Sequence, residues 1–98
     1  MIDAGDVAVA DLRRETRWRV LVVSSARFNR LSERAIVVPE FRGPSAMPAM
    51  PWHVAVDGSV YAVESLLSVE QGSLLDVVGR ATAVELERVR RALGHITT

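Results

Sequence analysis

All twelve positive side chains of this 98-residue chain are arginines, and four of them, Arg13, Arg14, Arg17 and Arg19, crowd one Glu15 in a short stretch. A guanidinium is a planar fork that meets two phosphate oxygens at once, which the point charge of lysine cannot do. The same preference for arginine also follows from GC-rich codon usage, so the cluster, not the count, carries information. Two histidines, His53 and His95, could take up a proton near neutral pH. His95 stands at the end of a predicted helix, which leaves His53 as the candidate general base or as a strand residue with a packing role. Trp18 and Trp52 offer aromatic faces on which unpaired bases stack; packing in a core or between subunits is their other use.

Twelve positive and twelve negative side chains cancel to a net charge of zero, so the chain as a whole exerts no field that draws in nucleic acid. Any such contact must be local. There is no cysteine, which removes disulfides, thiolate metal sites and a cysteine nucleophile and suits a reducing compartment. Residues 49% apolar and 24% charged describe a folding chain, and its length suits one domain over residues 1–98. The longest apolar runs, Val20 to Val23 among them, hold four residues. A membrane span needs roughly 20. The acidic start does not read as a signal peptide, and the expected location is the cytoplasm.

Period-two alternation predicts a first strand over residues 6–12, entered through the turn-like Gly5-Asp6. After the arginine-rich connection, residues 18–24 form a continuous apolar stretch expected to be a central strand buried on both faces. Ser25 then offers a cap, with Phe28 and Leu31 three apart, for one helical turn. A third strand is expected over residues 35–38. Residues 39–51 contain all four prolines and predict a long loop, because proline cannot donate to a sheet ladder. Loops of that length are usually functional. Residues 52–56 and 60–69 are predicted as the arms of one hairpin turned by Asp57-Gly58, and a short strand follows around residues 74–80. The helix start is explicit: Thr82-Ala83-Val84-Glu85 is a capping box. Leu86, Val89 and Leu93 make its core stripe, Glu87 and Arg91 an i,i+4 pair, and Gly94 its stop. Arg88, Arg90 and Arg91 read as outer, helix-stabilising charges. The expected fold class is α+β: a small, partly open antiparallel barrel of about five to six strands with a C-terminal helix.

The residues resemble a known family. Gly5-Asp6-Val7-Ala8-Val9-Ala10-Asp11-Leu12 looks like the opening strand of the MazF/PemK-like toxins. Val20-Leu21-Val22-Val23-Ser24-Ser25 and Arg27-Phe28-Asn29-Arg30-Leu31-Ser32 are similar to the family's second strand and the asparagine-containing turn after it. The match continues in order through Ala35-Ile36-Val37-Val38-Pro39, Trp52-His53-Val54, the arm from Gly58 to Leu67, and Gly79-Arg80 with the capped helix.

The resemblance implies an SH3-like barrel, a homodimer, and a toxin that cuts single-stranded RNA without a metal or other cofactor and is held in check by a cognate antitoxin. The implied chemistry is attack of a ribose 2′-hydroxyl on the adjacent phosphate, which needs proton transfer and stabilisation of a pentacovalent phosphate. In the family an arginine, followed by proline, and a threonine or serine supply this. Here Trp18-Arg19 aligns with the first pair and Phe41 with the hydroxyl residue. The catalytic candidates are therefore the flanking Arg19 and Arg17, with Ser45 from the proline-rich loop, and Arg19→Ala is expected to abolish cleavage. RNA contacts are expected from Arg13, Arg14, Arg42, His53 and Trp18. Glu64 and Ser65 fall where relatives carry polar residues near the dimer groove. Two alternatives stay open: a binding protein of this fold that has lost its chemistry, and a gyrase-poisoning toxin. The second acts through a tryptophan-bearing tail, whereas this chain ends Gly94-His95-Ile96-Thr97-Thr98.

Overall fold

The computed structural model describes residues 2–11, 17–42 and 50–97. Among these run β1 (Asp6–Ala10), β2 (Trp18–Val22), α1 (Ala26–Ser32), β3 (Arg34–Pro39), β4 (His53–Val56), β5 (Ser59–Ala62), β6 (Leu67–Glu70), β7 (Leu74–Arg80) and α2 (Ala83–Thr97). Five strands form an antiparallel sheet in the order β6-β3-β2-β1-β7, and β4 and β5 form a separate hairpin. The apolar stretch that starts at Trp18 is the central strand, as its composition requires. Leu21 faces a core built with the hairpin and α2, including Val38, Val54, Val56, Tyr61 and Val89. Val20 and Val22 face the opposite cluster with Ala8, Ala10, Ala35, Val37 and Val69. Burying one such valine contributes on the order of 1.5–3 kcal/mol. Leu67 of β6 and Leu74 of β7 both pack on that second cluster. The two edges of the sheet thus curl toward each other, which makes the partly open barrel.

Local chemistry fixes the ends. Ser25 Oγ accepts from the Phe28 amide at 3.2 Å and starts α1. Thr82 and Glu85 close the capping box reciprocally: the Glu85 amide donates to Thr82 Oγ1 at 3.1 Å, and the Thr82 amide donates to Glu85 Oε1 at 2.8 Å. The Thr82 amide, helped by that of Asp57, holds the Glu85 carboxyl below its ordinary range. Asp57 and Gly58 both take positive φ, 50° and 81°, as a two-residue hairpin turn requires.

Three expectations need correction. The predicted arm over residues 60–69 is not one strand: the Val63–Ser65 turn is 3₁₀, β5 pairs with β4, and β6 leaves to pair with β3. The Val63 amide donates to the Trp52 carbonyl at 3.0 Å, so the hairpin ladder ends there and the chain is free to change partners. That break raises the strand number to seven. Gly94 does not stop α2, which runs on to Thr97. Glu87 meets Arg90 at 3.8 Å instead of Arg91. Strand ends also shift slightly: β1 finishes at Ala10 and β2 at Val22. Among the described residues no helix is long and apolar enough to cross a membrane.

Candidate functional site

β2 is regular from its first residue, where Trp18 pairs with Ala10. Alternation then decides where its side chains point. Trp18 packs on the cluster that holds Val20 and Val22, whereas Arg19 shares the face of Leu21. Arg19 therefore points away from the side on which Trp18 stands, while Arg17 precedes the strand and is exposed.

A different guanidinium is on that side. Arg42, two residues past the isolated bridge between Glu40 and Tyr61, lies over the Trp18 ring at 4.4 Å from its centroid. Stacking of this kind is worth roughly 0.5–2 kcal/mol and orients the guanidinium plane. Arg42 Nη2 also donates to the Arg17 carbonyl at 3.1 Å, and its Nε meets Glu40 Oε1 at 3.2 Å. The chain on one side of residues 12–16 and the chain on one side of residues 43–49 are thereby tied to each other. The Arg42 side chain keeps 41% of its surface exposed, so it remains available to a ligand.

Arg19 occupies the other face. Its carbonyl accepts from the Glu40 amide at 3.0 Å, and its charge is felt at Tyr61. Tyr61 is buried, and burial first, then Glu40, push its pKa up to about 12. Phenolate chemistry at neutral pH is closed to it. Because Tyr61 is the only tyrosine, an alkaline ultraviolet titration should give a single phenolate transition about 2 pH units above the ordinary value near 10. The sign follows: the folded state keeps a proton that the unfolded chain loses first, so stability falls as pH rises from 10 through 12. A transition near 10 in folded protein would place the hydroxyl in water.

His53 opens β4. Its Nε2 lies 3.1 Å from Glu64 Oε2, its ring stacks on Phe41 with centroids 4.9 Å apart, and its side chain is only 8% exposed. Phe41, which stands where a hydroxyl was looked for, is an anchor: its amide donates to the Val60 carbonyl at 2.7 Å while its ring holds the His53 imidazole. His53 is thus linked, through Phe41, to the chain that carries Arg42. Ser65 shares the 3₁₀ turn with Glu64 and is exposed. Trp52 packs partly on the core beside the hairpin, which is the packing use open to it.

Of the residues singled out from sequence, the structure brings together Trp18, Arg42 and the Arg17 backbone, and separately His53 and Glu64. It sets Arg19 apart from the first group. Arg13, Arg14 and Ser45 lie outside the described residues. Sequence reading missed a cleft of about 260 Å³ between β4 and α2, lined by His53, Val54, Arg88, Arg91, Ala92 and His95 among others. The spacing of Arg88, Arg91 and His95, at i, i+3 and i+7, was the available signal.

Comparison with known proteins gives the frame for this geometry. No curated protein sequence matches the chain. Among solved structures, an endoribonuclease in complex with its cognate antitoxin from a mycobacterial species superposes with a TM-score of 0.85 at 19% identity, covering 97% of this chain and 93% of that one. The MazE-MazF structure (Form-II) from Deinococcus radiodurans gives 0.80 at 22%, with coverage of 97% and 93%. Mycobacterium tuberculosis toxin MazF-mt6 gives 0.77 at 16%, with coverage of 92% and 93%. These likenesses show the fold. The family model described as the PemK-like, MazF-like toxin of type II toxin-antitoxin systems matches residues 3–97, end to end with the architecture above, and the chain belongs to that family.

Proposed function

We propose that this toxin-family chain is a metal-independent endoribonuclease that cleaves single-stranded RNA in the cytoplasm, works as a homodimer, and is restrained by a cognate antitoxin. Support for the activity and the partner comes from the family and from solved structures of the same fold, one named an endoribonuclease with its antitoxin and another MazE-MazF. Exposed Leu75, Val77 and Val78 on the edge strand β7 are consistent with a surface that a second copy covers.

The observation that carries the reading is the Arg42 guanidinium held against Trp18. A side chain at position 18 is where the family pattern places its arginine, and here the charge reaches that side from the end of β3 instead. In the reaction, the RNA 2′-oxygen bonds to phosphorus, the bond to the 5′-oxygen breaks, and the products are a 2′,3′-cyclic phosphate and a 5′-hydroxyl. Negative charge grows on the non-bridging oxygens as phosphorus becomes five-coordinate. Arg42 is preorganised by the indole and the Arg17 carbonyl to meet that charge without having to be ordered first. Arg17 and Arg19, both exposed, and Arg13 and Arg14 are assigned to flanking phosphates, and Ser45 is the candidate hydroxyl. His53, with one nitrogen on Glu64 and its ring against Phe41, serves as a positioning residue.

The direct test incubates purified protein with a long single-stranded RNA in EDTA and maps the new ends. Cleavage that leaves 5′-hydroxyl ends, and that vanishes on a substrate with 2′-deoxyribose at the cut position, is the expected result. Intact RNA at high protein concentration would leave a binding protein with this fold.

A further inference from the structure

We infer that the cleft between β4 and α2 is a phosphate subsite that holds the RNA backbone on the sheet face opposite Trp18; its ligand rests on the ribonuclease reading of the Trp18–Arg42 centre. Arg88, Arg91 and His95 stand at i, i+3 and i+7, one stripe of α2 that flanks the buried Val89 and Ala92 and faces β4 across the cleft. A role for these arginines in countering the helix dipole does not account for them. That effect is confined to the last turn, and Arg88 and Arg91 precede it in a helix that ends at Thr97.

Neither guanidinium is neutralised. Among the described residues no carboxylate lies within ion-pair distance of Arg88 or Arg91, whereas Arg90 on the outer face meets Glu87 and Arg80 meets Asp6. Glu85, whose carboxyl feels the charge of Arg88, is committed to the Thr82 and Asp57 amides. Two unpaired arginines in one concavity are a fork for phosphate oxygens.

The opposite wall supplies the second observation. The His53 side chain is more than nine-tenths buried, its Nε2 is taken by Glu64, and its Nδ1 has no hydrogen-bond partner. Leaving a buried nitrogen unpaired is costly, and a polar ligand in the cleft gives Nδ1 the hydrogen-bond partner it otherwise lacks. Val54, Ala55 and Ala92 make the remaining surface apolar. At about 260 Å³ the space is below that of pockets for drug-sized ligands and suits a phosphate with its sugar. His53 also stacks on Phe41, the chain neighbour of Arg42, which ties the cleft to the segment that carries the proposed centre and makes the RNA strand, not an acidic polypeptide, the occupant inferred.

Binding of a fluorescein-labelled, 2′-O-methylated single-stranded RNA, which cannot be cut, tests this without reference to activity. Arg88→Gln with Arg91→Gln should weaken binding roughly ten-fold at low salt and reduce the slope of log K against log salt by about 1.4, as for two single-strand phosphate contacts. Each single variant should remove about 0.7, so a folding defect in the double variant would not blunt the test. Arg90→Gln, the same charge change on the outer face of the same helix, should alter binding less than roughly two-fold. Arg88 and Arg91 variants indistinguishable from Arg90→Gln overturn the subsite. So does loss of polyglutamate binding with RNA affinity intact, which would make an acidic polypeptide the occupant. Loss of RNA affinity in a protein that never cuts natural RNA upholds the subsite and refutes only the nuclease.

Discussion

Arg42→Ala is expected to lower the cleavage rate by roughly 10²–10³-fold, the usual loss when one preorganised donor to a developing oxyanion is removed. The argument is geometric. Regular pairing of Trp18 with Ala10 turns Arg19 off the Trp18 side, and Arg42 is the arginine stacked there. A lysine should restore only part of the rate, since an ammonium neither stacks flat on indole nor forks onto two phosphate oxygens. Arg19→Ala, first expected from sequence to abolish cleavage, is now expected to weaken RNA binding more than the chemical step. Single-turnover rates at saturating RNA separate the two. The sharpest version moves the charge: Trp18→Arg in the Arg42→Ala background should regain at least roughly ten-fold of the lost rate, because a guanidinium from β2 then returns to the same side. If Arg42→Ala cuts at the wild-type rate while Arg19→Ala does not cut, the centre lies on the Arg19 face and the stacked arginine is structural.

How much of this was legible in the sequence depends on the range of the interaction. The capping box Thr82–Glu85, the Asp57-Gly58 turn and the central strand are each written in a few neighbouring residues, and each is where local chemistry put it. The apolar run over residues 60–69 held no signal for its break, because β6 finds its partner in β3, thirty or more residues earlier. The 3₁₀ turn between them is visible only once the Trp52 carbonyl is known to end the ladder. Gly94 misled for the opposite reason: a glycine in a helix costs only about 1 kcal/mol, and the turn beyond it is closed locally, with Thr97 Oγ1 donating to the Leu93 carbonyl at 2.9 Å. At the site, Trp18 and Arg42 were both named as candidates, but their stacking is a contact across two strands that no spacing encodes. The stripe on α2 was encoded. Arg88, Arg91 and His95 are exposed, as read, but nothing in the sequence shows that β4 lies beside them.

The largest expected effect on stability sits far from the arginines, at Asn29. It is fully buried and polar, and its amide is spoken for on every side: Nδ2 donates to the Ile2 carbonyl at 2.9 Å and to the Ser24 carbonyl at 3.2 Å, and Oδ1 accepts from Ser24 Oγ. Ser24 Oγ in turn accepts from the Ile36 amide at 2.9 Å, and the Asn29 carbonyl accepts from Gln71 Nε2. One side chain therefore ties the N-terminal segment to α1, and through Ser24 it sets β3 against the end of β2. Asn29→Leu fills the space but strands two carbonyls and a hydroxyl, each worth about 1–3 kcal/mol when left unsatisfied. With partial relaxation the expected loss is about 3 kcal/mol, a large part of the stability of a domain this size. The thermal midpoint should fall by roughly 10–20 °C. Ser24→Ala removes the relay yet spares both carbonyl bonds, and should cost about half as much. Urea unfolding of the three proteins decides it, and a loss below about 1 kcal/mol for Asn29→Leu would mean that water reaches the stranded groups. Because this network lies at the opposite end of β2 from Trp18, folded Asn29→Leu protein in the cold should still carry the Arg42 stack, and any cleavage it shows should run at the wild-type rate per folded molecule.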